Sequence, residues 1–285
     1  MPALHPKYSI LRLERHKRAC LTWGRRLAKV MPFAPWIARY LPLSFETKVQ
    51  LDALPRPQLA YGMFAAAMQA RALGLEAITA AELGVFAGAG LRCMERYAAR
   101  IEAIPDLHGV RIEVVGFDRG EGLPASDDPR DAPYWFEAGL FRVDIEVVRR
   151  SLRRARFLVG DVADTVSDFL ALGLPPLGFV SFDLDYYRST VDALRILAIP
   201  DQRLLPRVLC YFDDIFGVSD LTILGPCVGE EAAIGEWNAS NPRRPLAPVT
   251  GLRHKRPFAA PWNDQYWALH LWDHPLYNVG INPLT

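Results

Sequence analysis

Cysteine is scarce in this 285-residue chain, and the four present, Cys20, Cys93, Cys210 and Cys227, are too widely spaced to form a CxxC pair. That spacing argues against a zinc knuckle and a disulfide framework, and it fits a reducing compartment. Long apolar runs are missing too. None is long enough to span a bilayer, and no N-terminal stretch has the uninterrupted apolar core of a signal peptide, so a soluble cytoplasmic protein is expected. Net charge is almost absent at +1, which gives no global field to attract nucleic acid. Internal repeats and low-complexity tracts are also lacking. With 51% hydrophobic residues, the chain can bury one large core, or a core with a small appendage.

What charge there is sits locally. Arg12, Arg15, Lys17, Arg18, Arg25, Arg26 and Lys29 face only Glu14 in the same stretch. This pattern fits an amphipathic helix that covers the sheet or a partner copy of the chain in a homo-oligomer, more readily than a helix on an acidic membrane surface. Residues 1–78 read as helices and loops broken by prolines at 32, 35, 42, 55 and 57, with no visible chemistry. From residue 80 onward, apolar strands alternate with helical stretches: strands at 81–86, 111–117, 156–159, 177–182 and 207–212, and helices at 91–104, 162–172, 190–197 and 229–238. Such alternation means a parallel sheet wrapped by helices. Residues 265–272, with Tyr266, Trp267 and Trp272, predict an antiparallel edge strand that closes the sheet. Two loops, 120–133 and 241–261, are rich in turn-forming residues and could cover a site.

Two acidic clusters dominate the chemistry. Asp183-Leu184-Asp185 follows the strand at 177–182, and Asp213-Asp214 follows the strand at 207–212. Carboxylates gathered at strand ends repel one another and resist ionisation unless a cation neutralises them, so a hard divalent ion is the natural partner. Upstream, Glu82, Gly84, Gly88 and Gly90 form Glu-x-Gly-x-x-x-Gly-x-Gly at a strand-to-helix transition. Glycines there allow a backbone to approach a ligand closely. The spacing departs from the dinucleotide fingerprint, and no Lys-Ser or Lys-Thr follows as in a phosphate loop. S-adenosylmethionine enzymes favour this arrangement. In a doubly wound sheet the first strand lies beside the fourth, which brings the glycine loop next to Asp183. Asp118 ends the second strand, where an acid meets ribose hydroxyls, and Asp161 follows the third, placed for an adenine edge.

Together, residues 82–90, then Asp118-Arg119-Gly120-Glu121-Gly122-Leu123-Pro124, then residues 182–190, then Asp213-Asp214 resemble the macrocin-type (TylF) O-methyltransferases over about residues 60–240. The resemblance implies a Rossmann-like class I methyltransferase fold. That fold is a mostly parallel seven-stranded sheet with an antiparallel C-terminal edge strand, a helical N-terminal cover (1–78) and a methyltransferase domain (79–285). It further implies S-adenosylmethionine as methyl donor, a magnesium ion held by Asp183, Asp213 and Asp214, Asp185 as general base, and a hydroxylated small molecule such as a sugar as acceptor. A vicinal diol is the acceptor class favoured here, because two adjacent hydroxyls could chelate the ion. The chain departs from the family pattern at Arg119-Gly120, Leu184, Ile215-Phe216 and Val166-Ser167, which leaves room for a different acceptor. Asp-x-Asp also occurs in metal-dependent glycosyltransferases and in haloacid-dehalogenase-type phosphatases, and a methyltransferase-like binding module without catalysis is a third alternative. The phosphatase reading is the weakest, since its Asp motif opens the fold whereas here a nucleotide cradle precedes it.

Overall fold

The computed structural model describes residues 6–281. Four helices come first: α1 (Pro6–Val30), α2 (Ala34–Ala38), α3 (Phe45–Gln50) and α4 (Pro57–Ala72). Strands and helices then alternate as β1 (Ala77–Leu83), α5 (Ala89–Glu102), β2 (Arg111–Asp118), α6 (Ile145–Ser151), β3 (Arg156–Val159), α7 (Val162–Ala171), β4 (Leu177–Phe182), α8 (Tyr187–Ala193) and β5 (Leu204–Phe212). The chain finishes with α9 (Glu230–Ser240), β6 (Leu246–Pro248) and β7 (Tyr266–His270). The sheet has seven strands in the order β3-β2-β1-β4-β5-β7-β6. Strands β1 to β5 pair in parallel, and β7 runs antiparallel to β5. The three-residue β6, which the proline-rich sequence of its loop concealed, pairs antiparallel with the far side of β7. None of the described helices is long and apolar enough to cross a membrane.

Both faces of the sheet are buried, as a parallel sheet requires. Side chains alternate with the two-residue period of a strand. Ile78, Ala80, Ile112, Val114 and Phe179 pack on one face beneath Met63, Phe64 and Ala67 of α4 and Met94 and Ile101 of α5. On the other face Leu83, Val115, Phe117, Phe182, Val208 and Phe212 pack with Phe169 of α7 and Ile234 and Trp237 of α9. The small residues of α4 let it lie close to the strands, and Gly62 meets the ring of Phe179. Helix α4 therefore shares the sheet's own core.

The first strand begins and ends earlier than the apolar pattern predicts. Gly84 (φ +88°) and Phe86 (φ +45°) adopt left-handed backbone that no strand can hold, so the chain leaves the sheet at Leu83. The loop 241–261 is anchored in the core. Arg256 is buried, donates to the Val49 carbonyl and to Asp52, and lies near the rings of Tyr61 and Trp262. It ties the end of α3 to the C-terminal part of the chain.

Candidate active site

Strand register places the site residues. Leu83 is level with Phe117 on one side and with Phe182 on the other, and Phe182 is level with Phe212. The residues that follow, Gly84, Asp183 and Asp213, therefore emerge side by side at the carboxyl ends of adjacent strands, with Asp118 ending β2 beside them. The Phe182 and Phe212 rings stack at 4.5 Å between centroids, which fixes β4 and β5 directly beneath the acids. Asp118 pairs with Val159, so Gly160 and Asp161 leave β3 at the same rim. A cleft of about 590 Å3 opens there, lined by Glu82, Gly84, Asp118, Asp161, Asp183, Asp185, Asp213 and Asp214. Gly88 and Gly90 stand just behind, at the start of α5.

The acids are crowded and poorly solvated. Burial, followed by repulsion from Asp213 and Asp214, holds the Asp183 carboxyl well above the usual range. Asp214 is raised in the same way, by burial and then by Asp185 and Asp213. Asp185 is pushed up to about 7 by burial, with Asp183 and Asp213 adding to it. Its backbone is left-handed, at φ +59°, a conformation that costs a non-glycine residue on the order of 1 kcal/mol and is found where a site dictates it. The Asp185 amide donates to Asp214 Oδ2 at 3.1 Å, joining the two clusters. Asp213 Oδ1 accepts from the Tyr211 hydroxyl at 2.6 Å, and Gln265 donates to the Asp213 main-chain oxygen.

A hard divalent ion matches this donor set in chemistry: every candidate ligand is a carboxylate oxygen. Among the described residues, however, no three such side chains close on one point as a ready-made cage. The acids share a cleft without being drawn into a ligand shell.

Beside Asp183 the glycine loop makes room for neighbouring protein groups. Gly84 has no side chain because the Asp183 carbonyl occupies that position, and Gly90 has none because the Glu82 carboxylate fills it. Glu82 is buried, its Oε2 has no hydrogen-bond partner, and burial with repulsion from Asp183 raises it to about 8. Asp118 organises the loop. Its Oδ2 accepts from the Val85 and Phe86 amides at 2.9 and 2.7 Å, and its Oδ1 from Gly120 at 2.6 Å. A carboxylate offers about four acceptor positions, so roughly one remains for a ligand hydroxyl. Asp161 caps α7 by accepting from the Ala163 amide at 3.0 Å and stays exposed at the rim.

Sequence reasoning missed several contributors. Glu230, in the first turn of α9, is fully buried and accepts from the Asp214 amide at 2.9 Å, while its Oε1 has no partner. An acid in a first helical turn is so common a partner of the helix dipole that nothing marked it out. Arg56 lines the cleft from the N-terminal segment, where no chemistry was expected, although its setting between Pro55 and Pro57 was a usable signal. The loop after β2 is anchored over α8. Buried Asp131 accepts from the Arg188 amide at 2.8 Å and from Arg188 Nε at 3.0 Å, and the Tyr186 hydroxyl donates to the Pro124 carbonyl at 3.1 Å.

No family model matches the chain, and no curated protein does. Among solved structures, the chain is similar to the O-methyltransferase NovP, with a TM-score of 0.51 and 16% identity over 75% of this chain and 79% of that one. It is also similar to the calicheamicin methyltransferase CalS11, with a TM-score of 0.50 and 22% identity over 88% of this chain and 91% of that one. At these identities the likeness is one of fold, and the fold is the Rossmann-like methyltransferase fold.

Proposed function

We propose that the protein is an S-adenosylmethionine-dependent O-methyltransferase acting on a hydroxyl of a small molecule, with a natural-product sugar carrying a vicinal diol as the favoured acceptor. One observation carries this reading: strand register gathers Asp183, Asp185, Asp213 and Asp214 in one cleft beside the glycine-bearing strand-to-helix loop. Two solved structures that share the fold, an O-methyltransferase and a calicheamicin methyltransferase, agree with it. So does the resemblance to macrocin-type enzymes.

Bound S-adenosylmethionine supplies a methyl group already activated on a sulfonium, so the protein's main task is to align a nucleophile and remove its proton. The donor would lie along the loop that Gly84, Gly88 and Gly90 let pack tightly on its neighbours, and Asp118 and Asp161 would meet its nucleoside. Asp183, Asp213 and Asp214 would hold a divalent ion, which supplies positive charge to the oxygen as it loses its proton. Asp185 would accept that proton. It stands in the cleft with its amide tied to Asp214, beside the acids that would hold the ion.

The test is a calorimetric titration of the full chain with S-adenosylmethionine in the presence of magnesium, followed by a turnover screen over diol acceptors. Stoichiometric binding and methyl transfer are expected. A folded protein that ignores S-adenosylmethionine and instead binds nucleotide sugars would replace this reading with a glycosyltransferase.

A further inference from the structure

Arg56 has an unusual setting. It lies between Pro55 and Pro57 at the start of α4, in a left-handed backbone conformation with φ +46° and ψ +63°. Such a conformation strains a residue that has a β-carbon, and the ring of the following proline restricts it further. The surroundings nevertheless hold it in place. Arg256 grips the chain just before it at Val49 and Asp52, the Tyr97 hydroxyl donates to the Pro55 carbonyl, and the Arg56 carbonyl accepts the Leu59 amide at 3.0 Å. The turn is thus fixed on both sides while its side chain stays exposed.

That side chain lines the cleft. Arg119 and Arg188 line it too, but each is already paired, Arg119 with Glu121 and Arg188 with Asp131. Arg56 makes no ion pair among the described residues, and its positive charge is the one that offsets Glu82 and Asp183. A guanidinium on a rigid turn is suited to a carboxylate, which it can meet with two parallel hydrogen bonds and little loss of side-chain freedom.

With its nucleoside at Asp118 and Asp161, at the ends of β2 and β3, the donor would extend its methionyl part toward Glu82 and Asp183, at the ends of β1 and β4. The α-carboxylate is its one anionic group. We propose that Arg56, contributed by the N-terminal helical segment, is the residue that binds the α-carboxylate of S-adenosylmethionine. This assignment rests on the methyltransferase reading. It makes the N-terminal segment part of the donor site, where the sequence had marked it only as a cover.

The test compares two ligands on the full chain by calorimetry: S-adenosylhomocysteine, and S-adenosyl-3-thiopropylamine, the same molecule without its carboxyl group. Wild-type protein should prefer the first by roughly tenfold to a hundredfold, the range expected for charge-assisted hydrogen bonds. Arg56→Gly removes the guanidinium while keeping a residue that accepts positive φ without strain, and Arg56→Gln removes only the charge. Both should bring the two affinities to within about threefold by weakening S-adenosylhomocysteine alone, and Arg56→Lys should restore part of the preference. If both variants keep the wild-type preference, Arg56 does not bind the carboxylate. If folded wild-type protein binds neither ligand, the methyltransferase reading itself falls and takes this assignment with it.

Discussion

The main-chain carbonyl of Asp183 lies against Gly84, in the space a side chain there would need, so the first acidic cluster and the glycine loop are packed backbone to backbone. The Asp183 amide donates to the Leu83 carbonyl at 2.9 Å, and the Gly84 amide to the Phe117 carbonyl at 2.9 Å. Three strand ends are locked together at this point. Gly84→Ala must clash with backbone and also adopt φ +88°, so a loss of about 3 kcal/mol or more is expected. Denaturant unfolding measures it, and a change below about 1 kcal/mol would show that the strand ends separate easily.

Burial of Glu82 makes stability depend on pH. Its folded-state value of about 8 lies above the ordinary 4.5, so the folded protein holds this proton more tightly than the unfolded chain does. The contribution is fully present below pH 4.5 and is lost as pH rises through about 8. Asp183, Asp185, Asp214 and Glu230 are shifted in the same direction. Metal-free protein should therefore weaken steadily from pH 5 to 8.5, and Glu82→Gln should flatten part of that slope, by an amount on the order of several kcal/mol at the alkaline end. Chemical denaturation at a series of pH values decides it. Parallel slopes for wild type and variant would mean that Glu82 keeps its charge in the fold.

Asp185 and Asp213 should fail in different ways. Asp185→Asn preserves shape and removes the proposed base, so donor binding should persist while turnover drops by roughly a hundredfold to ten-thousandfold. Asp213→Ala should instead abolish magnesium-dependent activity. The fold should tolerate it, because the Tyr211 hydroxyl already has Gln265 Oε1 as a second acceptor at 3.1 Å. Chelation of divalent ions should silence wild-type enzyme, and added magnesium should restore it. Undiminished turnover by Asp185→Asn, or chelator-resistant turnover by wild type, would remove the corresponding role.

Tyr186 tests the loop over the cleft. Its ring is buried beside Phe136, and its hydroxyl reaches the carbonyls of Pro124 and Phe136 at 3.1 and 3.3 Å. Tyr186→Phe leaves those carbonyls without a donor and should cost about 1 kcal/mol. Faster hydrogen exchange confined to residues 120–136 is the expected accompaniment. Uniform exchange across the sheet would show that the hydroxyl supports the whole fold instead.

Much of the fold was legible because the signal was local. Apolar runs such as 177–182 are buried on both faces, and each is followed by a helix, which forces parallel pairing. The acids after β4 and β5 stood out because charges seldom follow such runs directly. Strand β6 stayed hidden because three residues that end in proline hold too little pattern, and its pairing depends on β7 being in place. The left-handed Phe86 and Asp185 were invisible for a related reason: Phe disfavours positive φ and Asp merely tolerates it, so the surrounding structure decides it.

The sequence by itself determined the alternation of strands and helices, the glycine loop and the four aspartates, since each is written in periodicity or in residue type over a few neighbours. Tertiary structure alone decided which groups face those residues. Arg56 lies in the N-terminal segment and Glu230 on the helix after the second cluster, and both reach the site because α4 and α9 pack on opposite faces of one sheet. No local pattern encodes a contact that depends on the register and packing of separate elements.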